Sequence, residues 1–264
     1  MKKEIQIFFT ALMFYTRIPC PKWVNHDPEY LNKSTKYISV IGCLIGLLSA
    51  GVMVSSMRLI HPITAVLLAI VTSVFITGSF HEDGFADVCD GFGGGWTKMK
   101  ILNIMKDSSV GTYGVVGLVL LLGIKVSVLY EIITQNRTWW VLALILITGH
   151  SISRLTAATT IFTHEYVRED DQSKVKPVAK KLGVGALLFM TLIGLIPLII
   201  LSHQTHWLLF ITIMPVYLTK VFIQRFFSKW IGGYTGDCLG AIQQVSEVVF
   251  YLSFLLIVNC LNGL

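Results

Sequence analysis

The chain has 264 residues, of which 54% are hydrophobic and only 14% charged, and its formal net charge is +6. Soluble domains carry about 25% charged residues, so this depletion, with a mean hydropathy of +0.70, excludes an ordinary soluble enzyme and indicates a multi-pass membrane protein. At the N-terminus, Lys2 and Lys3 precede the apolar run "IQIFFTALMFY" and imitate a signal peptide. No small-x-small cleavage site follows, and Arg17, Pro19 and Pro21 interrupt the run. An uncleaved helix lying at the interface or re-entering the membrane is expected there. Stretches free of Asp, Glu, Lys and Arg then predict seven spans, at about 38–58, 62–80, 109–130, 139–163, 183–202, 207–224 and 241–260. The expected fold is an all-α polytopic membrane bundle, with residues 1–264 forming one transmembrane catalytic domain.

Loop charge orients the bundle, because Lys and Arg are retained on the cytoplasmic side. One set of alternate loops holds Lys2, Lys3, Arg17, Lys22, Lys33, Lys36, Lys98, Lys100 and Lys106, then Arg168, Lys174, Lys176, Lys180, Lys181, Arg225 and Lys229. The opposite set holds only Arg58 and Arg137. Sixteen against two places the N-terminus and the loops at 81–108, 164–182 and 225–240 in the cytoplasm of a cell with the protein in its inner or plasma membrane. An odd number of spans then puts the C-terminus outside. The basic balance is thereby a topology signal, and no nucleic-acid partner is needed to explain it. Cys20, Cys43, Cys89, Cys238 and Cys260 show no CxxC pairing and read as small apolar residues rather than a zinc site. Oligomeric state is not legible.

Chemistry concentrates just after the second predicted span, in "FHEDGFADVCDGFGGGW" (80–96). Asp83, Asp87 and Asp90 stand at i, i+4 and i+7, which puts three carboxylates within about 60° of arc on a helix. No lysine or arginine lies between Arg58 and Lys98 to neutralise them. A divalent cation resolves the repulsion, and hard oxygen donors favour Mg²⁺ or Mn²⁺. Glu82 flanks the stripe as an outer ligand, and His81 is placed to accept a proton or to hydrogen-bond an acid. Glycines such as Gly93 and Gly94, with Lys98 and Lys100 after them, can turn backbone N–H groups toward an anion, although a flexible connector has the same composition. Lys106 suits a phosphate oxygen and Asp107 a further metal contact, with a plain surface pair as the rival reading. Arg154 lies well inside the fourth span, four residues after His150, and an intramembrane Arg is a functional candidate by default. Asp237 sits between glycines at the mouth of the last span, where a simple turn is the alternative. Lys125, near the outer end of its span, reads as a snorkelling side chain. Metal-loaded carboxylates with cationic groups on the same face are the equipment of phosphoryl transfer; no Walker A motif is present.

Four blocks, "FYTRIP" (14–19), "TGSFHEDGFADVCDG" (77–91), "IMKDSSVGTYG" (104–114) and "GGYTGDCLGA" (232–241), occur in the order seen in one enzyme family. On them the chain resembles adenosylcobinamide-GDP ribazoletransferase, the cobalamin synthase family, over essentially its whole length. The resemblance implies a Mg²⁺-dependent membrane enzyme that joins adenosylcobinamide-GDP to α-ribazole or its 5′-phosphate, releasing GMP. It maps functional residues onto Asp83, Asp87 and Asp90, with Glu82, Lys106 and Asp107 as neighbours. Ser79 and Ser109 stand where Gly and Arg are expected in many members. The second difference removes one phosphate contact, a charge that Arg17 or Arg154 can supply.

Joined, the two readings give an expected mechanism. Mg²⁺ on Asp83, Asp87 and Asp90 bridges the diphosphate, Lys106, Arg154 and Arg17 neutralise its oxygens, and a carboxylate or His81 takes the proton of the attacking ribose hydroxyl. Two alternatives stand beside it. "DVCDG" (87–91) echoes CDP-alcohol phosphotransferases, but the Ala–Arg pair expected after it is absent. A cation-coupled transporter would use the acids as an ion site.

Overall fold

The computed structural model describes residues 2–24, 28–136, 138–167 and 182–263. Arg137 and the basic residues from Arg168 to Lys181, used above to orient the loops, lie outside the described residues. The elements in order are α1 (Lys2–Tyr15), α2 (Pro28–Ser34), a 3-10 turn (Thr35–Tyr37), α3 (Ile38–Ser56), α4 (Pro62–Thr77) and α5 (Phe80–Gly94). There follow α6 (Lys98–Ile104), α7 (Thr112–Gln135), α8 (Trp139–Thr163), α9 (Val184–Gln204), a 3-10 segment (Trp207–Thr212), α10 (Ile213–Ile231) and α11 (Gly236–Asn262). Among the described residues there is no β-strand, only one isolated bridge between Tyr166 and Tyr234.

Six helical segments are long and apolar enough to cross a membrane, and α4 with α5 makes a seventh if that bent pair counts as one span. At 14 residues, α1 is about 21 Å long, short of a hydrocarbon core of about 30 Å. Polarity is distributed inside out, as lipid demands. Leu59, Phe75 and Phe222 are 86%, 75% and 76% exposed, while Lys125 and Arg154 are 2% exposed and Glu247 is fully buried. The largest apolar core joins α3, α4, α7, α8 and α11 through side chains such as Met53, Ala69, Leu129, Leu142 and Phe250.

The second predicted span needs correcting. It stops at Thr77, and the chain turns by 89° into α5. Gly78 adopts φ 64°, ψ 39° and ends α4, while Ser79 N–H donates to Val74 O at 2.9 Å, closing the reversed turn that terminates many helices. Ser79 follows with φ 60°, the one non-glycine residue in the left-handed region among the described residues. The expectation of glycine at this position thus has a physical basis: a side chain here costs about 1–2 kcal/mol of backbone strain. Arg17 clasps the elbow, its N–H donating to Ile76 O at 2.6 Å and its side chain lying over Gly78.

Candidate active site

The acids stand on α5, a separate helix that starts at the elbow. Two glycines seat it on α11. A Cβ at Gly84 would lie 2.9 Å from Asp237 Cα, and one at Gly240 would lie 3.1 Å from His81 O, so the backbones meet where a larger residue would part them. Thr235 fixes the start of α11 by accepting the Cys238 N–H at 3.3 Å. Beside this crossing α1, α5, α8 and α11 enclose a cavity of about 230 Å³, and His81, Asp83, Arg154, Asp237 and Gln243 all line it. Residues separated in sequence by more than 150 positions therefore share one wall. Much of its remaining wall is apolar, with Phe14, Tyr15 and Phe80 in mutual edge-to-face contact, and Tyr166 and Tyr234 complete it.

The carboxylate stripe keeps its predicted helical spacing but not a uniform environment. Asp83 is exposed, Asp87 half-buried and Asp90 buried. Both Asp90 oxygens are engaged: Gly111 N–H donates to Oδ2 at 2.7 Å and Gly114 N–H to Oδ1 at 2.8 Å. Asp90 thereby caps the start of α7, satisfying N–H groups that have no partner within that helix and meeting its positive end. Among the described residues no three His, Cys, Asp or Glu side chains converge closely enough to cage a metal.

The glycine run is helical, where the sequence suggested a loop that turns N–H groups toward an anion. Gly91 to Gly94 form the last turn of α5, and Gly95 N–H donates to Gly91 O at 2.9 Å. Gly93 receives the ring of Tyr113, and Ile104 packs over Gly94. Lys106 and Asp107 are exposed on the segment between α6 and α7. Asp107 Oδ1 accepts the Ser109 N–H at 3.0 Å, and hydrogen bonds from Ser109 side chain and backbone hold its carboxyl below the usual range. Burial pushes the Tyr234 phenol up to about 12, so this cavity residue is a donor and not a base at neutral pH.

Behind the cavity lies a polar cluster that the sequence reading only touched. Arg154 Nη1 donates to His150 O at 3.0 Å and meets His150 Nδ1 at 3.1 Å. A guanidinium only donates, so Nδ1 accepts there. The 3.4 Å approach of Nδ1 to Glu247 Oε2 is then no hydrogen bond. Glu247 Oε1 faces Lys125 Nζ at 2.5 Å, and Oε2 lies 4.0 Å from Arg154 Nη1. Lys125 is thus a buried, paired residue, which corrects its reading as a snorkelling side chain. Gln243 Nε2 donates to Glu247 Oε2 at 2.7 Å and to Ser153 Oγ at 3.0 Å. Glu82, buried on the opposite side of α5 from solvent, accepts from Gln244 Nε2 at 2.9 Å. Glu247, Gln243 and Gln244 were missed, although the rule that singled out Arg154 applies equally to a glutamate at position 247 inside the last predicted span.

The family model for cobalamin-5-phosphate synthase matches residues 7–255. The chain belongs to that family. Among curated relatives, an adenosylcobinamide-GDP ribazoletransferase of Shewanella frigidimarina is 44% identical, the match covering 96% of this chain and 95% of the relative. Enzymes of the same name from Shewanella piezotolerans and Shewanella pealeana are each 42% identical, with 97% of both chains covered. No solved structure matches. The match supports the ribazoletransferase reading and neither the CDP-alcohol phosphotransferase nor the transporter alternative.

Proposed function

We propose that this chain transfers the adenosylcobinamide phosphate of adenosylcobinamide-GDP to α-ribazole or its 5′-phosphate, releasing GMP. The observation that carries the reading is the convergence of Asp83, Asp237, His81 and Arg154 on one cavity at the α5–α11 crossing, within a chain of this family. The cavity opens among segments whose lysines and arginines favour the cytoplasmic side, where nucleotide substrates are found.

The donor set fits magnesium. This ion keeps several waters and takes one or two protein carboxylates together with substrate phosphates, and exposed Asp83 with half-buried Asp87, one turn apart, offer that partial set. Asp90 takes part through the lone pair each oxygen retains and Asp107 stands as an outer ligand, whereas Glu82 is turned away from this pair and held by Gln244. Bound there, the ion supplies charge neutralisation for a diphosphate. Lys106 and Arg17 add positive charge for the remaining phosphate oxygens. The acceptor's ribose hydroxyl attacks the phosphorus that bears cobinamide. As that O–P bond forms, the bridge to GMP breaks, and the carboxylate of Asp237 takes the hydroxyl proton.

The test is GMP release by the purified protein in lipid nanodiscs, given adenosylcobinamide-GDP and α-ribazole with and without Mg²⁺. Release that needs both the acceptor and the metal is expected. No release under any condition refutes the activity, and metal-independent release refutes the ligand assignment.

A further inference from the structure

Three buried side chains that line the cavity share one state. His81, Arg154 and Gln243 are 4%, 2% and 0% exposed, come from three different helices, and line the same space. Yet among the described residues His81 Nδ1, Arg154 Nε and Gln243 Oε1 find no hydrogen-bond partner. One buried polar atom left unsatisfied costs about 1–3 kcal/mol. Three around one cavity mark a place where a ligand's polar atoms belong.

Their chemistry restricts that ligand. Glu247 only accepts when ionised, so its bond from Gln243 Nε2 fixes the amide orientation and leaves Oε1 presented as an acceptor. Arg154 Nε–H is a donor. A phosphate, which only accepts, would satisfy Arg154 but be repelled by Gln243 Oε1, whereas a hydroxyl donates to one and accepts from the other. The walls are mostly apolar, Phe14, Tyr15, Phe80, Ala157 and Ala158 among them with the Tyr166 and Tyr234 rings beside, which suits a flat aromatic ring. The volume of about 230 Å³ falls below the roughly 300–1,000 Å³ of sites that enclose a whole drug-sized ligand, so the cavity admits one moiety and excludes a corrin ring.

We propose that this cavity is the acceptor pocket: it takes the nucleoside, with the apolar aromatic base against Phe14, Tyr15 and Phe80, a ribose hydroxyl on His81, Arg154 and Gln243, and the reacting hydroxyl turned to Asp83 and Asp237 at the rim. The corrinoid and guanosine portions of the donor stay outside it. This inference rests on the ribazoletransferase reading and deepens it. It makes Gln243 and the paired alanines specificity determinants for an apolar base.

Ala158→Phe, on α8, narrows the cavity at its aromatic wall. In the GMP-release assay this variant is expected to raise KM for α-ribazole at least tenfold while leaving KM for adenosylcobinamide-GDP within twofold of wild type. Should it fail to fold, Ala157→Val makes the same intrusion on a smaller scale, with a severalfold rise expected. Calorimetry on the wild type should show α-ribazole bound and not displaced by guanosine. An unmoved α-ribazole KM in a folded variant, a rise confined to the corrinoid substrate, or displacement by guanosine each overturns the pocket assignment. A wild type that releases no GMP overturns the parent activity instead, so the two failures are distinguishable.

Discussion

Asp83 and Asp90 differ in what they touch, although both belong to one stripe. Asp83 is exposed at the cavity rim, whereas Asp90 holds two backbone N–H groups of α7. Asp83→Asn is therefore expected to abolish turnover while leaving the melting temperature within about a degree of wild type. Asp90→Asn turns an amide NH₂ toward a backbone donor and leaves one buried N–H without an acceptor, at about 1–3 kcal/mol. A clear drop in melting temperature is expected for that variant alone, and equal melting curves would refute the capping role. The stripe was legible because helical spacing is a local property. The cap was not, because it depends on where α7 begins in space. The glycine run misled for a related reason: Gly93 serves the close approach of Tyr113, which composition alone does not distinguish from an anion-binding loop.

Between elements, α7, α8 and α11 are joined in the apolar interior by acidic and basic side chains. Lys125 and Arg154 flank a single carboxylate, Glu247, to which Gln243 Nε2 and the Tyr251 hydroxyl also donate. Removing one partner of such a buried pair costs about 3–5 kcal/mol, whereas replacing both by apolar residues is far less damaging. Lys125→Met is expected to destabilise the protein by about that amount, and the double variant Lys125→Met with Glu247→Leu to recover part of it. Urea or thermal unfolding in nanodiscs measures both. Additive losses in the double variant would show that the pair is not coupled. Nothing in the local sequence announces this pairing, since its members lie more than a hundred residues apart. Charge inside apolar runs was the available signal, and it was followed for Arg154 but not for Glu247.

At the scale of the whole molecule, the bundle was legible: apolar length identifies spans, and six of the seven predicted ones coincide with long helices. The break at Gly78 and Ser79 escaped because the stretch free of Asp, Glu, Lys and Arg continues through it to Phe80. The orientation proposed from loop charge has a native reporter. Cys260 is an exposed thiol near the end of α11, 22 residues beyond Cys238, or roughly 33 Å along the helix axis from the cavity end. With the cavity facing the cytoplasm, a membrane-impermeant maleimide should label Cys260 from outside intact cells. Labelling only after permeabilisation would reverse the orientation.

The elbow carries a mechanical consequence. A helix of sixteen residues is about 24 Å long, below the usual hydrocarbon thickness, and the two-residue connection to α5 gives it no slack. Thicker bilayers that pull on α4 will therefore swing α5 and its acids relative to α11, so turnover in nanodiscs should fall as lipid acyl chains lengthen and recover in short-chain lipid. The catalytic centre would then act as a gauge of the membrane that holds it.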